Sequence, residues 1–370
     1  MGIRPLEGLT VAVTADRRAD EQARLLAQRG ARVLLGPTIR TLPLTGDERI
    51  RQVTEELVRK PPDVLVANTG VGMRGWLAMA ESWGPTEDLL EALSSARILS
   101  RGPKASGVLA TVGLHVDWQA PSARMDEVVS RLVDEGAAGR RVALQLDGGD
   151  EDGSTTERLR AAGADVVPVP VYRWTLPDDL GPALRVVEAA RSGRVDAVTF
   201  TAAPALHNLF AVAEQTGAAD ELRDAFNGSV LAMCVGPVCV EAAVERGVIK
   251  AEQPPHARLG SMVQRLTDLL GTRRHVVRVG TLEVIVQGSM IAVEGERVLL
   301  SERERLVFET LADRHGAVVP KRALLAAVWS GHANAHALEV TVARLRKRLE
   351  PTGLGVETVV RRGYRLVALR

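Results

Sequence analysis

The sequence predicts an α/β chain in two parts: a body of two lobes built from a duplicated parallel-sheet unit, then a C-terminal winged helix. Three observations carry this. The layout strand, loop, helix occurs twice in matching order. VDAVTFTAAPALHNLFAVAEQTG follows PDVLVANTGVGMRGWLAMAESWG, and SVLAMCVGPVCVEAAVERGV follows ARILSRGPKASGVLATVGL. The last hundred or so residues instead read as short strands, three helices and a hairpin. Charge divides at the same place. Arg273 to Arg370 holds 17 basic and 10 acidic residues, a net of +7, against −6 for the rest. A basic module on an acidic body argues for one nucleic-acid-binding part and one part with another task.

The length of 370 residues suits two or three domains, and the 46% hydrophobic content suffices for real cores. Aromatics at 3% argue against a base-stacking platform. No signal sequence and no apolar run of membrane-spanning length is present, so a cytoplasmic chain with no membrane partner is expected. Cys234 and Cys239 lie in an apolar segment without neighbouring His. They read as buried thiols, and no metal or cofactor is expected.

In chain order, Leu9 to Val13 is a buried-type strand, Asp20 to Arg29 a helix ended by Gly30, and Ala31 to Leu35 a second strand. Loops at strand carboxyl ends are where such folds place ligands. These loops supply Thr14, Arg17, Arg18, Asn68, Thr69, Arg74, Arg101, Lys104 and Thr201 as polar or basic candidates. Each arginine could equally be an ordinary surface residue. His207, at the start of a helix, reads as structural. The acidic, Gly-rich loop Asp147 to Gly153 lacks the Lys-Ser/Thr of a phosphate loop and the acid spacing of an EF-hand, so it reads as a solvated turn. A helix from Leu259 to Leu270 precedes a hinge at Gly271 to His275.

Strands broken by Gly280, Gly288 and Gly295 open the last part. Ser301 and Glu304 form a capping box, and His315-Gly316 ends that helix. Pro320 opens a short helix closing near Trp329. Asn334 to Glu350 reads as an amphipathic helix with Leu338, Val342, Leu345 and Leu349 on one face. Ala337, Thr341, Arg344 and Arg348, with Lys347 beside them, form a second stripe on the far side. Such a basic, hydroxyl-bearing face suits a DNA major groove, where arginine pairs with guanine or neutralises phosphate; alone it could be a solvated face. Two strands around Arg361-Arg362-Gly363 complete the part.

Residues from about 276 to 370 resemble the OmpR/PhoB-type winged-helix domain of bacterial response regulators. The likeness lies in Leu300-Ser301 with Glu304, in Val319 to Trp329, in Leu338-Glu339-Val340 with Arg344 to Leu349, and in Gly363 to Leu366. It implies base contacts from Thr341 and Arg344, phosphate contact from Arg346, and double-stranded promoter DNA as partner, bound as a dimer. The family's wing reads Thr-Val-Arg-Gly-x-Gly-Tyr. Here Thr358-Val359-Val360-Arg361-Arg362-Gly363-Tyr364 stands instead, so the minor-groove arginine is Arg361 or Arg362.

Residues from about 5 to 270 resemble uroporphyrinogen-III synthase. The marks are Val13-Thr14 with Arg17, Gly30 to Pro37, Gly102-Pro103, Val171-Tyr172-Arg173, Phe200-Thr201 and Gly236-Pro237. The resemblance implies one lobe from residues 1–40 and 172–270, another from 41–171, and a tetrapyrrole cleft between them. That family closes hydroxymethylbilane with inversion of the last pyrrole, where positioning by hydroxyl and backbone N–H groups dominates. Hydroxyls usual in the family are replaced by Ala105, Ala202 and Val238-Cys239, and the strand at Leu144 to Leu146 offers no phenol. The expected function is therefore a transcription regulator whose body senses a tetrapyrrole or small anionic ligand, or docks a second regulator. A link to tetrapyrrole supply or to nitrate and nitrite assimilation is implied. The alternative is a working synthase with a fused DNA-binding domain.

Overall fold

The computed structural model describes residues 2–44, 46–84, 86–146, 148, 153–329 and 334–369. Apart from Gly148 and Gly153, the turn expected at Asp147 to Gly153 lies outside the described residues. The strands in chain order are β1 (Thr10–Val13), β2 (Arg32–Leu35), β3 (Arg40–Pro43), β4 (Val64–Ala67), β5 (Arg97–Ser100), β6 (Trp118–Gln119), β7 (Arg141–Gln145), β8 (Asp165–Val169) and β9 (Tyr172–Thr175). They continue with β10 (Ala197–Phe200), β11 (Leu231–Cys234), β12 (His275–Val279), β13 (Leu282–Gln287), β14 (Met290–Val293), β15 (Glu296–Leu299), β16 (Leu354–Val359) and β17 (Gly363–Ala368). The chain forms two compact units, Met1–Thr38 with Asp178–Arg370, and Ile39–Pro177.

The first unit carries a parallel sheet in the order β11-β10-β1-β2. Its central strands are apolar runs buried on both faces, as parallel strands under helices must be. The second unit carries the parallel order β6-β5-β4-β7-β8. The duplication is plain in three dimensions: β5-β4-β7-β8 repeats β11-β10-β1-β2. The helices that follow β5 and β11, Pro103–Thr111 and Pro237–Glu245, both open on Gly-Pro. In the first unit the start of the chain supplies the two strands that the second unit takes from the later part of its own segment, β7 and β8. The connecting stretches pair as an antiparallel ribbon, β3 with β9, within the second unit.

The rest of the first unit is the winged helix. An antiparallel sheet β12-β13-β14-β15 precedes helices Glu302–Ala312, Lys321–Trp329 and Ala335–Leu349, and β16 and β17 close as a hairpin. The capping box forms, with Ser301 N–H donating to Glu304 Oε2 at 2.7 Å. Asn334 caps the third helix by accepting from the Ala337 N–H at 3.1 Å. Leu338, Val342, Leu345 and Leu349 are buried and pack on Phe308, Leu324 and Tyr364. The hairpin is tied to the segment before the second helix by a bridge between Val319 and Tyr364. Gly363, at φ +141, permits this: a Cβ there would lie 2.0 Å from the Val319 carbonyl oxygen.

The segment expected as a hinge is hydrogen-bonded on both sides. Arg273 Nη1 donates to Ser229 O at 2.7 Å, and Arg274 Nε to Gln287 Oε1 at 2.6 Å. Among the described residues no helix is long and apolar enough to cross a membrane, and no cluster of three His, Cys, Asp or Glu forms. Cys234 and Cys239 are free and buried; contact with Cys239 and burial push the Cys234 thiol pKa up.

Candidate DNA-binding surface and ligand-binding loops

On the third helix Arg344, Arg346, Lys347 and Arg348 are exposed. Thr341 is not on the open face. It is buried, and its hydroxyl donates to Ala337 O at 2.8 Å. At about 100° per residue Thr341 falls on the shoulder of the Leu338–Val342–Leu345 face rather than opposite it. Its edge still lines a groove of about 410 Å³, together with Ser301 to Glu304, His336, Ala337, Val340 and Arg344.

Arg346 is an internal brace as well as a surface cation. Its Nε donates to Val356 O and its Nη2 to Thr358 Oγ1, both at 2.6 Å, and its guanidinium lies 6.0 Å from the Tyr364 ring centre. Lys321 reaches Glu339 at 2.6 Å and lies 5.8 Å from the centre of the same Tyr364 ring. The hydrogen bond from Lys321 holds the Glu339 carboxyl below its usual range. These contacts fix the hairpin against the helix. At the hairpin tip Val360, Arg361 and Arg362 are exposed, with Arg361 at φ +57 and Arg362 N–H donating to Val359 O.

In the first unit Thr14 is fully buried, and its hydroxyl donates to Thr199 O at 2.8 Å. It staples β1 to β10, so the structure removes it from the ligand candidates: the hydroxyl is spent on a neighbouring strand. Arg17 is exposed in the loop that follows, Arg18 pairs with Glu21, and Thr201 is half-buried after β10. Sequence reasoning missed Gln22. It is buried, its Nε2 donates to Thr199 Oγ1 at 2.7 Å, and its Oε1 has no partner among the described residues. Only its place on the inner face of the helix Ala19–Gln28 could have signalled it. His207, 3.3 Å from Arg246 Nε, has its pKa lowered by burial and then by Arg246.

In the second unit Asn68 is buried, and its Oδ1 has no partner among the described residues. Thr69 caps the helix Gly70–Trp83: its hydroxyl accepts from Gly72 N–H at 3.0 Å. Its own N–H donates to Gln145 Oε1 at 2.7 Å. A Cβ on Gly70 would lie 2.3 Å from the Lys104 carbonyl oxygen, so this helix and Pro103–Thr111 meet at their N-termini. Paired N-termini favour anions. Lys104 is exposed in that first turn and Arg101 is half-buried just before it. The strand at Leu144 to Leu146 offers no phenol; one comes instead from β9, where Tyr172 Oη stands 3.3 Å from Thr69 Oγ1. Ala105 is buried, whereas Val238 is 52% exposed at the start of its helix.

A family model described as Uroporphyrinogen-III synthase HemD matches residues 20–264, and one described as Transcriptional regulatory protein, C terminal, matches residues 295–366. A uroporphyrinogen III synthase from Thermus thermophilus is 31% identical, with a TM-score of 0.60, over 72% of this chain and all of that one. A putative uroporphyrinogen-III synthase of Methanothermobacter thermautotrophicus is 26% identical over 69% of this chain and 95% of its own length. The uncharacterised protein YjjA of Bacillus subtilis is 25% identical over 70% of this chain and 96% of its own length. With the two sheets, their connecting ribbon and the C-terminal domain in place, the chain belongs to the uroporphyrinogen-III synthase HemD family and carries an OmpR/PhoB-type winged-helix DNA-binding domain of transcriptional regulators.

Proposed function

We propose that this chain is a promoter-binding transcription regulator whose HemD-family body senses a ligand. The observation that carries the reading is the exposed cationic strip of Arg344, Lys347 and Arg348, with Arg361 and Arg362 at the hairpin tip, on a domain of the regulator type. In this reading Arg344 reads a base edge in the major groove, Lys347 and Arg348 neutralise phosphate, and Arg361 or Arg362 enters the flanking groove. Arg346, fixed by its bonds to β16, meets phosphate. Two chains bind together on DNA. The body takes a polycarboxylate of the tetrapyrrole kind; the paired helix N-termini near Lys104 and Arg101 are its candidate anion site in the second unit, and the Arg17 loop is a separate candidate in the first. The apolar, exposed Val238 supports sensing over turnover. Regulation of tetrapyrrole supply or of nitrate and nitrite assimilation fits that ligand class.

Titrating uroporphyrinogen III, nitrite and nitrate into the full-length protein on promoter DNA tests this. One of them should shift DNA affinity in the wild type, and the Arg17→Ala/Lys104→Ala variant should lose the shift. The shift cannot exceed the ligand's differential affinity for the two states of the body. If none acts on the wild type, the body is a docking platform for a second regulator instead. The Tyr172–Thr69 hydroxyl pair favours a second reading, a working synthase with a fused DNA-binding domain. Incubation with enzymatically generated hydroxymethylbilane, scoring type III against type I product, decides between them.

A further inference from the structure

The body and the winged helix meet within the first unit at two turns, each anchored in its own core. Leu6 and Leu9 are buried in the body and hold the turn Arg4–Gly8, which closes with Leu9 N–H donating to Leu6 O. Val286 and Met290 are buried at the β13–β14 turn.

Between them Gln287, fully buried, spends its whole amide. Its Nε2 donates to Glu7 O at 2.8 Å and Pro5 O at 2.9 Å, with Arg4 O at 3.4 Å, while its Oε1 accepts from Arg274. Ser289 gives both its N–H and its hydroxyl to Gly8 O, each at 2.8 Å. The two backbones approach too closely for a side chain: a Cβ on Gly8 would lie 2.4 Å from Gln287 O. Arg297 and Glu7 pair at 3.3 Å on the rim.

A tethered domain does not need this. Exposed turns that meet by chance leave a water-accessible rim, not a buried glutamine satisfied on every side. Strand β1 starts two residues after Gly8 and ends where Thr14 joins β10 and the Arg17 loop begins. The path from that loop to the DNA-binding domain therefore runs along one short strand of the central sheet.

We propose that the turns Arg4–Gly8 and Gln287–Met290 form an interdomain lock. It makes the winged helix a rigid extension of the first unit, pins the Thr272–Arg274 connection through Arg274, and transmits the position of β1 to the DNA-binding helix. The lock stands independently of which ligand the body takes.

Arg273 and Arg274 are exposed and give trypsin cutting points between the body and the winged helix, read by the size of the fragments released. Wild type should resist cleavage there. Gln287→Ala should be cut at least about tenfold faster, since it leaves several buried carbonyls without donors, with Ser289→Ala intermediate. Gly8→Val, which wedges the two backbones apart, should match or exceed Gln287→Ala. Retained binding to duplex DNA reports that each variant's winged helix is folded. Nuclear spin relaxation of the wild type needs no variant: body and winged helix should share one rotational correlation time. Cleavage of wild type as fast as Gln287→Ala, or a separate correlation time for the winged helix, overturns the lock.

Discussion

Arg344 and Arg346 are two positions apart on one helix, yet the structure gives them different work. Arg346 is bound to Val356 and Thr358, so Arg346→Ala should lower both thermal stability and affinity for all DNA sequences. Arg344→Ala should leave the melting temperature nearly unchanged and cost about 1–3 kcal/mol at its own base pair. Binding titrations on specific and random duplexes separate the two; equal losses on both for Arg344→Ala would refute its base-reading role. In the body, Tyr172→Phe removes the phenol beside Thr69 and should cost about 0.5–1.5 kcal/mol in chemical denaturation. His207 gives a pH signature. Burial, then Arg246, lowers its pKa from the ordinary 6.5, so the fold favours the neutral ring. Its contribution is complete above pH 6.5 and is lost as pH falls through the lowered folded-state value. His207→Gln should therefore flatten the decline in melting temperature below that pH. At this scale the residue types were legible in the sequence, but their partners were not. Nothing local says that Thr14 is spent on β10, 185 residues away, or that Tyr172 comes to Thr69.

Among elements, the wing joins the segment before the second helix through the Val319–Tyr364 bridge, which leaves no room for a side chain at Gly363. Gly363→Val should destabilise the winged helix by at least about 1–3 kcal/mol and weaken DNA binding in parallel, measured by melting and gel shift. Normal stability in that variant would mean that the hairpin does not rest on Val319. The third helix and the hairpin tip carry a cluster of exposed positive charge, so binding should fall with salt at a log–log slope of about −0.9 per phosphate neutralised. A flat response between low and moderate salt would rule out the groove-binding model. Helix limits and caps were readable because they depend on neighbours in sequence: Ser301, Glu304 and Asn334 act within one turn. The misplaced stripe containing Thr341 shows where that ends. Helical spacing gives angles around the axis, but how much of a face is covered depends on distant segments, here Ser301 to Glu304 across the groove from Thr341.

For the molecule as a whole, the proposed reading is a body that binds without turnover. Purified protein should convert hydroxymethylbilane to uroporphyrinogen III poorly. Near-complete conversion would instead establish the bifunctional reading and give the Tyr172–Thr69 pair a catalytic setting. The two outcomes also differ in what the lock would carry, a ligand-dependent signal or only a fixed geometry.

The sequence by itself determined the fold class, the duplication and the break in charge. Strand runs, Gly-Pro helix starts and heptad-like spacing are local patterns, and each is repeated often enough to be read without a partner. The tertiary structure alone decided which polar groups are free to act. It spent the hydroxyls of Thr14 and Thr341 on backbone carbonyls, brought Tyr172 to Thr69, left Gln22 Oε1 and Asn68 Oδ1 buried without a partner among the described residues, and hydrogen-bonded Arg274 to Gln287 in the segment expected as a hinge. The physical reason is that a hydrogen bond's value depends on burial and on a partner that is distant in the chain.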